Sequence, residues 1–376
     1  MKSSLEIDPA ERIATAPPES ARNGRAVTGS PGVIQILDPL ANPNWDAQVM
    51  GLAGATVFHS SAWARVLKES YGYKPLYFAK VENSNLRALL SVMEVDSWVT
   101  GKRGVSLPFS DACEPLGTCD TRDQHELFQK AIEYGRANGW KYFESRGAAM
   151  PDSNTPVSES FFDHSLALSR DDEKVFAGFE SSVRRAIRKA EKSGPTIEIS
   201  RSLEGMQIFY SLHCQTRKKH GVPPQPFSFF ETFHRNVIAR DLGFVVIARF
   251  EGKPIAASVF VHFGSTAIYK YGASDETLQH LRGANLVMWH AIQWCAQAGF
   301  EQFNFGRTDK GNEGLRRFKL GWGAKERSLQ YFKYDLRANR FVMGKGESSK
   351  LREQVIKRIP IPIARMIGSV LYRHVA

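Results

Sequence analysis

Between residues 242 and 274 the chain alternates three apolar, strand-like runs with short breaks at Gly252-Lys253 and Gly264-Ser265. Such spacing predicts an antiparallel meander with tight turns. A helix of about 14 residues follows, with Leu286, Trp289, Ile292 and Ala296 on one face. Gly299 is placed to end it, because glycine accepts the left-handed backbone of a helix terminus. A strand over Gln302–Phe305 comes next and is expected to break at Gly306-Arg307 into a polar, basic loop. Tyr269 and Tyr271 flank Lys270, which predicts two phenols on one strand face.

The first half repeats this order. Val33–Leu37 reads as a strand, and Trp63, Val66 and Leu67 share a helix face behind a Ser60 or Ser61 cap. Leu76–Val81 and Leu86–Val95 form a hairpin over Asn83-Ser84-Asn85. A helix over Arg122–Ala137, Gly139 as its stop and a strand over Trp140–Glu144 complete the set. Ala131, Ile132, Gly139 and Phe143 recur as Ala291, Ile292, Gly299 and Phe303, a constant offset of 160 (291 − 131). A fixed offset in equivalent elements argues duplication. Only the second copy carries the charged loop after its strand, which points to chemistry there and to a substrate groove between the copies.

Charge and periodicity add two further features. In residues 181–193, Val183, Ala186, Ile187 and Ala190 make an apolar stripe, while Arg184, Arg185, Arg188 and Lys192 crowd another face with Glu191 as the lone acid. Arginine forks suit phosphate, and a solvated basic face is the other reading. Near the end, Ile363, Met366, Ile367, Val370, Leu371 and Val375 have helical spacing, flanked by Lys357, Arg358, Arg365 and Arg373. That pattern fits either an interfacial helix on anionic lipid or a helix packed on its own protein.

Composition sets the outer limits. At 376 residues, 42% hydrophobic and 24% charged, the chain suits a two-domain globular protein. A net charge of +11 implies an anionic partner without choosing between phosphate, nucleic acid and a membrane surface. Residues 1–32 lack an apolar signal core, read as a disordered tail, and no stretch reaches the roughly 18 apolar residues of a membrane span. Cys113, Cys119, Cys214 and Cys295 form no metal pattern and read as reduced thiols of a cytoplasmic protein, with at most peripheral contact to the inner membrane. No Ser-His-Asp set, P-loop or zinc motif is present.

The meander–helix–strand order is that of GNAT acyltransferases. Phe303-Asn304-Phe305-Gly306-Arg307, Lys310-Gly311-Asn312, Leu315-Arg316-Arg317-Phe318-Lys319 and Gly321-Trp322-Gly323-Ala324 resemble the Fem-type aminoacyltransferases and related proteins of bacterial exopolysaccharide systems. The resemblance spans about residues 45–340. It implies an α/β (α+β) fold of tandem GNAT-like acyltransferase units, each a mixed sheet flanked by helices. Unit one is expected at 33–165, unit two at 166–340 and a basic amphipathic tail at 341–376.

The implied activity is transfer of an acyl or aminoacyl group to an amine, in envelope or exopolysaccharide synthesis. A catalytically degenerate tandem scaffold at the membrane surface is the alternative. The donor is acyl-CoA (acetyl-CoA) or aminoacyl-tRNA, with no metal. Gln279–Asn285, holding Arg282, Gly283 and Ala284, half matches the coenzyme A turn at a helix N-terminus. By the same resemblance Lys319 lies near the reacting centre, and Arg307 and Asp309 lie where donor and acceptor meet. Asp309 is a base or a turn former, and Tyr271 a proton donor or core. Arg65, Lys68, Arg184, Arg185 and Arg188 are expected near acceptor phosphate, on an anionic acceptor such as a lipid-linked saccharide precursor. tRNA is the other anionic partner.

Overall fold

The computed structural model describes residues 32–117, 121–148, 154–344 and 350–375. Two-residue turns organise its sheet. Asn83 and Ser84 both take positive φ between strands β2 (Lys74–Glu82) and β3 (Asn85–Val95). Glu251 and Gly252 do the same between β9 (Gly243–Phe250) and β10 (Lys253–Phe263), one residue earlier than expected. Such turns match the twist of paired strands and hold each register.

Unit one begins with β1 (Val33–Leu37), α1 (Trp45–Met50) and α2 (Ser61–Tyr71), then the β2–β3 hairpin. It continues with β4 (Arg103–Val105), β5 (Leu116–Gly117), α3 (Thr121–Ala137), β6 (Tyr142–Arg146) and β7 (Glu159–Ala167). Helices α4 (Asp172–Ala177) and α5 (Ser181–Lys192) connect to unit two. That unit runs β8 (Thr196–Ser200), α6 (Leu203–Lys219), α7 (Phe227–Asn236), β9, β10, β11 (Thr266–Ser274), α8 (Gly283–Gln297) and β12 (Gln302–Asp309). It closes with α9 (Glu313–Leu320), β13 (Lys325–Asp335) and β14 (Arg340–Val342). Helices α10 (Lys350–Arg358) and α11 (Ile361–Leu371) form the tail.

The described strands make one sheet in the order β1-β2-β3-β4-β6-β13-β7-β12-β11-β10-β9-β8. Its two halves mirror each other. In each, an antiparallel meander ends on a strand paired in parallel with the strand after the long helix: β4 with β6, and β11 with β12. The last strands are exchanged. β7 pairs with β12, β13 pairs with β6, and β7 and β13 pair with each other. The expected division at 165 therefore falls inside β7, a strand that leaves unit one for the sheet of unit two.

The 160-residue repeat has a packing cause. Ala131, Ile132 and Phe143 are buried under α3 as Ala291, Ile292 and Phe303 are under α8, and Gly139 and Gly299 both end their helices at positive φ. These form separate cores on one side of the sheet. On the other side a single core runs through both units, joining Trp45, Trp63 and Tyr77 to Phe229, Val245 and Val259. The shared core fuses the units.

One sequence expectation fails here. Val259 faces Tyr271 and Phe260 faces Tyr269, so Lys270 is an extra residue in a β-bulge. A bulge shifts the alternation by one. Tyr269 joins the core under α8, whereas Tyr271 joins the shared core. The two phenols lie on opposite faces.

Buried His59 and His213, with half-buried His262, make the fold sensitive to acid. Burial lowers His59 to about 4, His213 to about 3 and His262 to about 4. Unfolding restores an ordinary value near 6.5, so the unfolded chain binds more protons between these limits. Stability therefore rises with pH across that window and is lost as pH falls through it, at about 1.4 kcal/mol per pH unit per histidine. Denaturant midpoints measured from pH 7 to pH 5 are expected to fall. His213→Phe, which keeps a ring among Phe209, Phe230 and Tyr271, should remove about one histidine's share of the slope.

Candidate active site

The site is built around a bend in β12. Gly306 has φ +71, and the register against β7 shifts between Asn304 and Arg307. A Cβ on Gly306 would stand 2.8 Å from Asp111 Oδ2, so only glycine lets the unit-one loop come this close. Asn304 fixes the bend: its Oδ1 accepts from Gly306 N at 2.6 Å and its Nδ2 donates to both Asp163 oxygens at 3.0 and 3.2 Å.

Lys319 holds the bend from below. It lies in α9, whose start is capped by Asn312 accepting from Leu315 N. Its buried Nζ donates to Gly306 O at 2.7 Å and Arg307 O at 2.9 Å. Burial lowers this amine to about 8, against the raising pull of Asp111, Asp163 and Asp309. Lys319 is thus a buried helical clamp on the backbone. The strand does not end at Gly306-Arg307 either; it continues to Asp309. Arg307 Nη1 donates to Tyr331 Oη at 2.8 Å, with its guanidinium 4.4 Å from the Phe161 ring centroid. Asp309 is exposed at the strand end.

Above the bend lies a cavity of about 350 Å³ between the units. Unit one contributes Thr56, Phe58, His59, Asp111 and Glu114; β7 contributes Asp163 and Ser165; β11, β12 and β13 contribute Ile268, Asn304 and Arg327 among others. Thr266, Ile268, Gln302 and Asn304 line it, while Ala267 and Phe303 point to the core under α8. The cavity therefore opens on the face opposite α8.

Its charges are arranged in pairs. Arg327 Nε donates to buried Asp163 at 2.8 Å and its Nη1 to Glu114 at 2.6 Å. Lys270 Nζ donates to Phe109 O at 2.6 Å, lies 3.7 Å from Asp111 and is surrounded by the Phe58, Trp63 and Tyr271 rings. Burial lowers its basicity, with Asp111 opposing. His59 is neutral: Nδ1 accepts from Thr56 N at 3.1 Å, leaving Nε2–H to donate to Glu114 O at 3.0 Å. Three carboxylates and one guanidinium thus line the cavity, a composition that suits an amine. Among these three carboxylates Asp163 is the buried one.

The other expected residues lie elsewhere. Tyr271 is half-buried against the shared core, donates to Gln225 Oε1 at 3.2 Å and does not line the cavity; burial raises its phenol far above the ordinary range. Val183 and Ile187 anchor α5 in the core under α8, on the face away from the cavity. Arg184 Nη1 donates to Ala177 O, Arg185 Nη1 to Ser181 Oγ, and Arg188 lies over Phe176. Lys68 stands 3.9 Å from Asp38 in an exposed pair, and Arg65 belongs to the same helix, α2. None of these five bases lines the cavity.

The turn expected to hold the donor, Gln279–Asn285, lies beside the point where two strands separate. β11 and β12 pair only over Thr266–Ile268 and Gln302–Asn304 and then part. At the following helix, Arg282 takes φ +59 and the N-terminus of α8 has no side-chain cap, while Asn285 N already donates to Arg282 O at 3.0 Å. Arg282 and Ala284 are exposed; Gly283 is buried, and a Cβ there would meet Ile255 at 2.9 Å. Among the described residues no group of His, Cys, Asp and Glu is arranged to hold a metal.

Arg307 and Lys319, singled out in the sequence, stand at the bend; Asp163, Asp111, Asn304, Arg327 and Lys270 were not singled out as a set. A lone Asp between Phe162 and His164 in an alternating strand was the available signal for Asp163.

The acetyltransferase (GNAT) domain family matches residues 177–331. The solved structure of FemX matches with TM-score 0.61 and 13% identity, over 79% of this chain and 96% of its own. A tandem GNAT protein from the clavulanic acid biosynthesis pathway is similar at TM-score 0.49 and 10% identity, over 84% and 99% of the two chains. Saccharomyces cerevisiae N-myristoyltransferase with bound myristoyl-CoA is similar at 0.47 and 14%, over 89% and 86%. No curated protein matches the sequence. Residues 177–331 therefore match the acetyltransferase (GNAT) domain family, and the likeness to FemX shows a common fold running through both units.

Proposed function

We propose that the protein transfers an acyl group from acyl-CoA to a primary amine bound in the cavity between the units. The observation that carries this reading is the buried Asp163 carboxylate, held by Asn304 and Arg327 beside the β12 bend. Asp163 takes a proton from the ammonium. The amine lone pair then attacks the thioester carbonyl, the tetrahedral intermediate collapses with cleavage of the C–S bond, and the second proton lost from nitrogen passes to the departing sulfur, so that coenzyme A leaves as the thiol. The Fem-type motif at 303–324 supports an acceptor in envelope or exopolysaccharide synthesis, an amino sugar or amino acid of the polymer or of its lipid-linked precursor. Aminoacyl-tRNA is the competing donor, favoured by the net charge of +11.

The test is amine-dependent release of coenzyme A thiol from acetyl-CoA, with amino sugars and amino acids as acceptors. Arg282→Ala removes an exposed base from the donor turn and is expected to raise the donor KM by about tenfold with kcat little changed. A variant with unchanged donor KM would remove Arg282 from the donor site. Transfer from charged tRNA but not from acetyl-CoA would reassign the donor.

A further inference from the structure

The last helix is docked by its small residues and leaves its large apolar ones outside. Ala364 and Gly368 of α11 are buried. A Cβ on Gly368 would lie 2.0 Å from Pro224 O, so the helix sits against the α6–α7 turn at backbone contact. Its end is bolted down: Tyr372 Oη donates to Pro223 O at 3.0 Å and accepts from Arg217 at 2.7 Å, and Arg103 Nη2 donates to His374 O at 2.8 Å.

The opposite side carries Ile363, Met366 and Val370, which are 46%, 64% and 62% exposed. Their spacing of three and four residues places them on one stripe, and four residues further His374 stacks edge-on with Trp98 at 5.6 Å. Trp98 is 88% exposed, with Val99 and Val375 also exposed beside it. Unit one and the tail thus meet in one apolar surface. Residues 354–375 add Lys357, Arg358, Arg365 and Arg373 and contain no acid; Asp96, exposed, is the acid next to Trp98.

We propose that this surface docks the protein on an anionic phospholipid bilayer. Tryptophan and medium-sized aliphatic side chains suit the boundary between headgroups and acyl chains, and the bases around them suit anionic lipid. Arg365 lies over the Tyr210 ring, and Lys357, Arg358 and Arg373 are exposed bases of the tail; a second copy would set bases against bases, so charge complementarity favours lipid over self-association. α11 lies on the membrane and does not enter it: no described helix is long and apolar enough to cross. Docking would also set the site's distance from the bilayer, because Tyr372 packs 5.8 Å from Phe109, whose carbonyl holds Lys270. The proposal stands without the acyl-transfer reading.

The test uses the full chain and phosphatidylcholine vesicles with or without phosphatidylglycerol. Co-sedimentation with the anionic vesicles, weakened by salt, is expected, with a blue shift of Trp98 emission. The triple variant Trp98→Ser, Met366→Ser, Val370→Ser should lower partitioning by at least about tenfold, and Lys357→Gln and Arg358→Gln by about fivefold each. Unchanged melting temperatures would show that these exposed substitutions leave the fold intact. Equal binding to both vesicle types, or binding that the triple variant does not weaken, would overturn the proposal. So would a dimer in sedimentation velocity that the triple variant dissolves, since the face would then be a self-interface.

Discussion

Replacing Lys319 with alanine is expected to cost about 2–5 kcal/mol of folding stability, because Gly306 O and Arg307 O lose their donor in a buried setting. Activity should fall by about 100-fold as well, since the β12 bend carries both Asn304 and Arg307 and small displacements of positioning groups are costly. Lys319→Met fills most of the same volume without donating, and should lose activity to the same degree with a smaller cavity effect. Equilibrium denaturation and kcat of the two variants check this. If Lys319→Ala proves as stable as the parent yet inactive, the amine acts in the chemistry and not on the backbone. Full stability with full activity would show that the bend holds without it.

Asp163→Asn should lower kcat by about 10²–10⁴-fold, the range expected on removing a proton acceptor. The side chain keeps its shape and can still accept from Arg327, while Arg327 retains Glu114, so the fold should survive. Acetyl-CoA affinity should stay unchanged, because the donor turn is formed by the start of α8 and the cavity opens on the other face of the sheet. Loss of donor binding together with kcat would mean that Asp163 supports the fold or the donor rather than the acceptor amine.

Much of this architecture is legible in the chain. Hairpins announce themselves through Asn-Ser and Gly turns whose backbone few other residues adopt. The repeat shows because Ala131-Ile132 and Ala291-Ile292 pack the same way against equivalent strands. The exchange of β7 and β13 leaves no local trace: each alternates as any strand does, and its partner is chosen across more than a hundred residues of chain. The bulge at Lys270 is equally silent, since a register shift belongs to two strands together.

The same division runs through the site. Arg307 and Lys319 fall within one phrase and could be found as a motif. Asp111, Asp163 and Arg327 come from a loop of unit one and from the two exchanged strands, so only the folded sheet joins them. The basic face of α5 stays open to both readings, because a solvated arginine row and a phosphate clamp have one charge pattern. The apolar stripe seats α5 under α8, on the face away from the cavity.

Calorimetric titration of the full-length chain with acetyl-CoA tests the central claim most directly. Saturable binding is predicted, with a dissociation constant on the order of 1 μM–1 mM, weakened about tenfold in Arg282→Ala and unchanged in Asp163→Asn. A folded protein that gives no binding heat and no thermal shift at millimolar acetyl-CoA would contradict the account and return the donor to aminoacyl-tRNA.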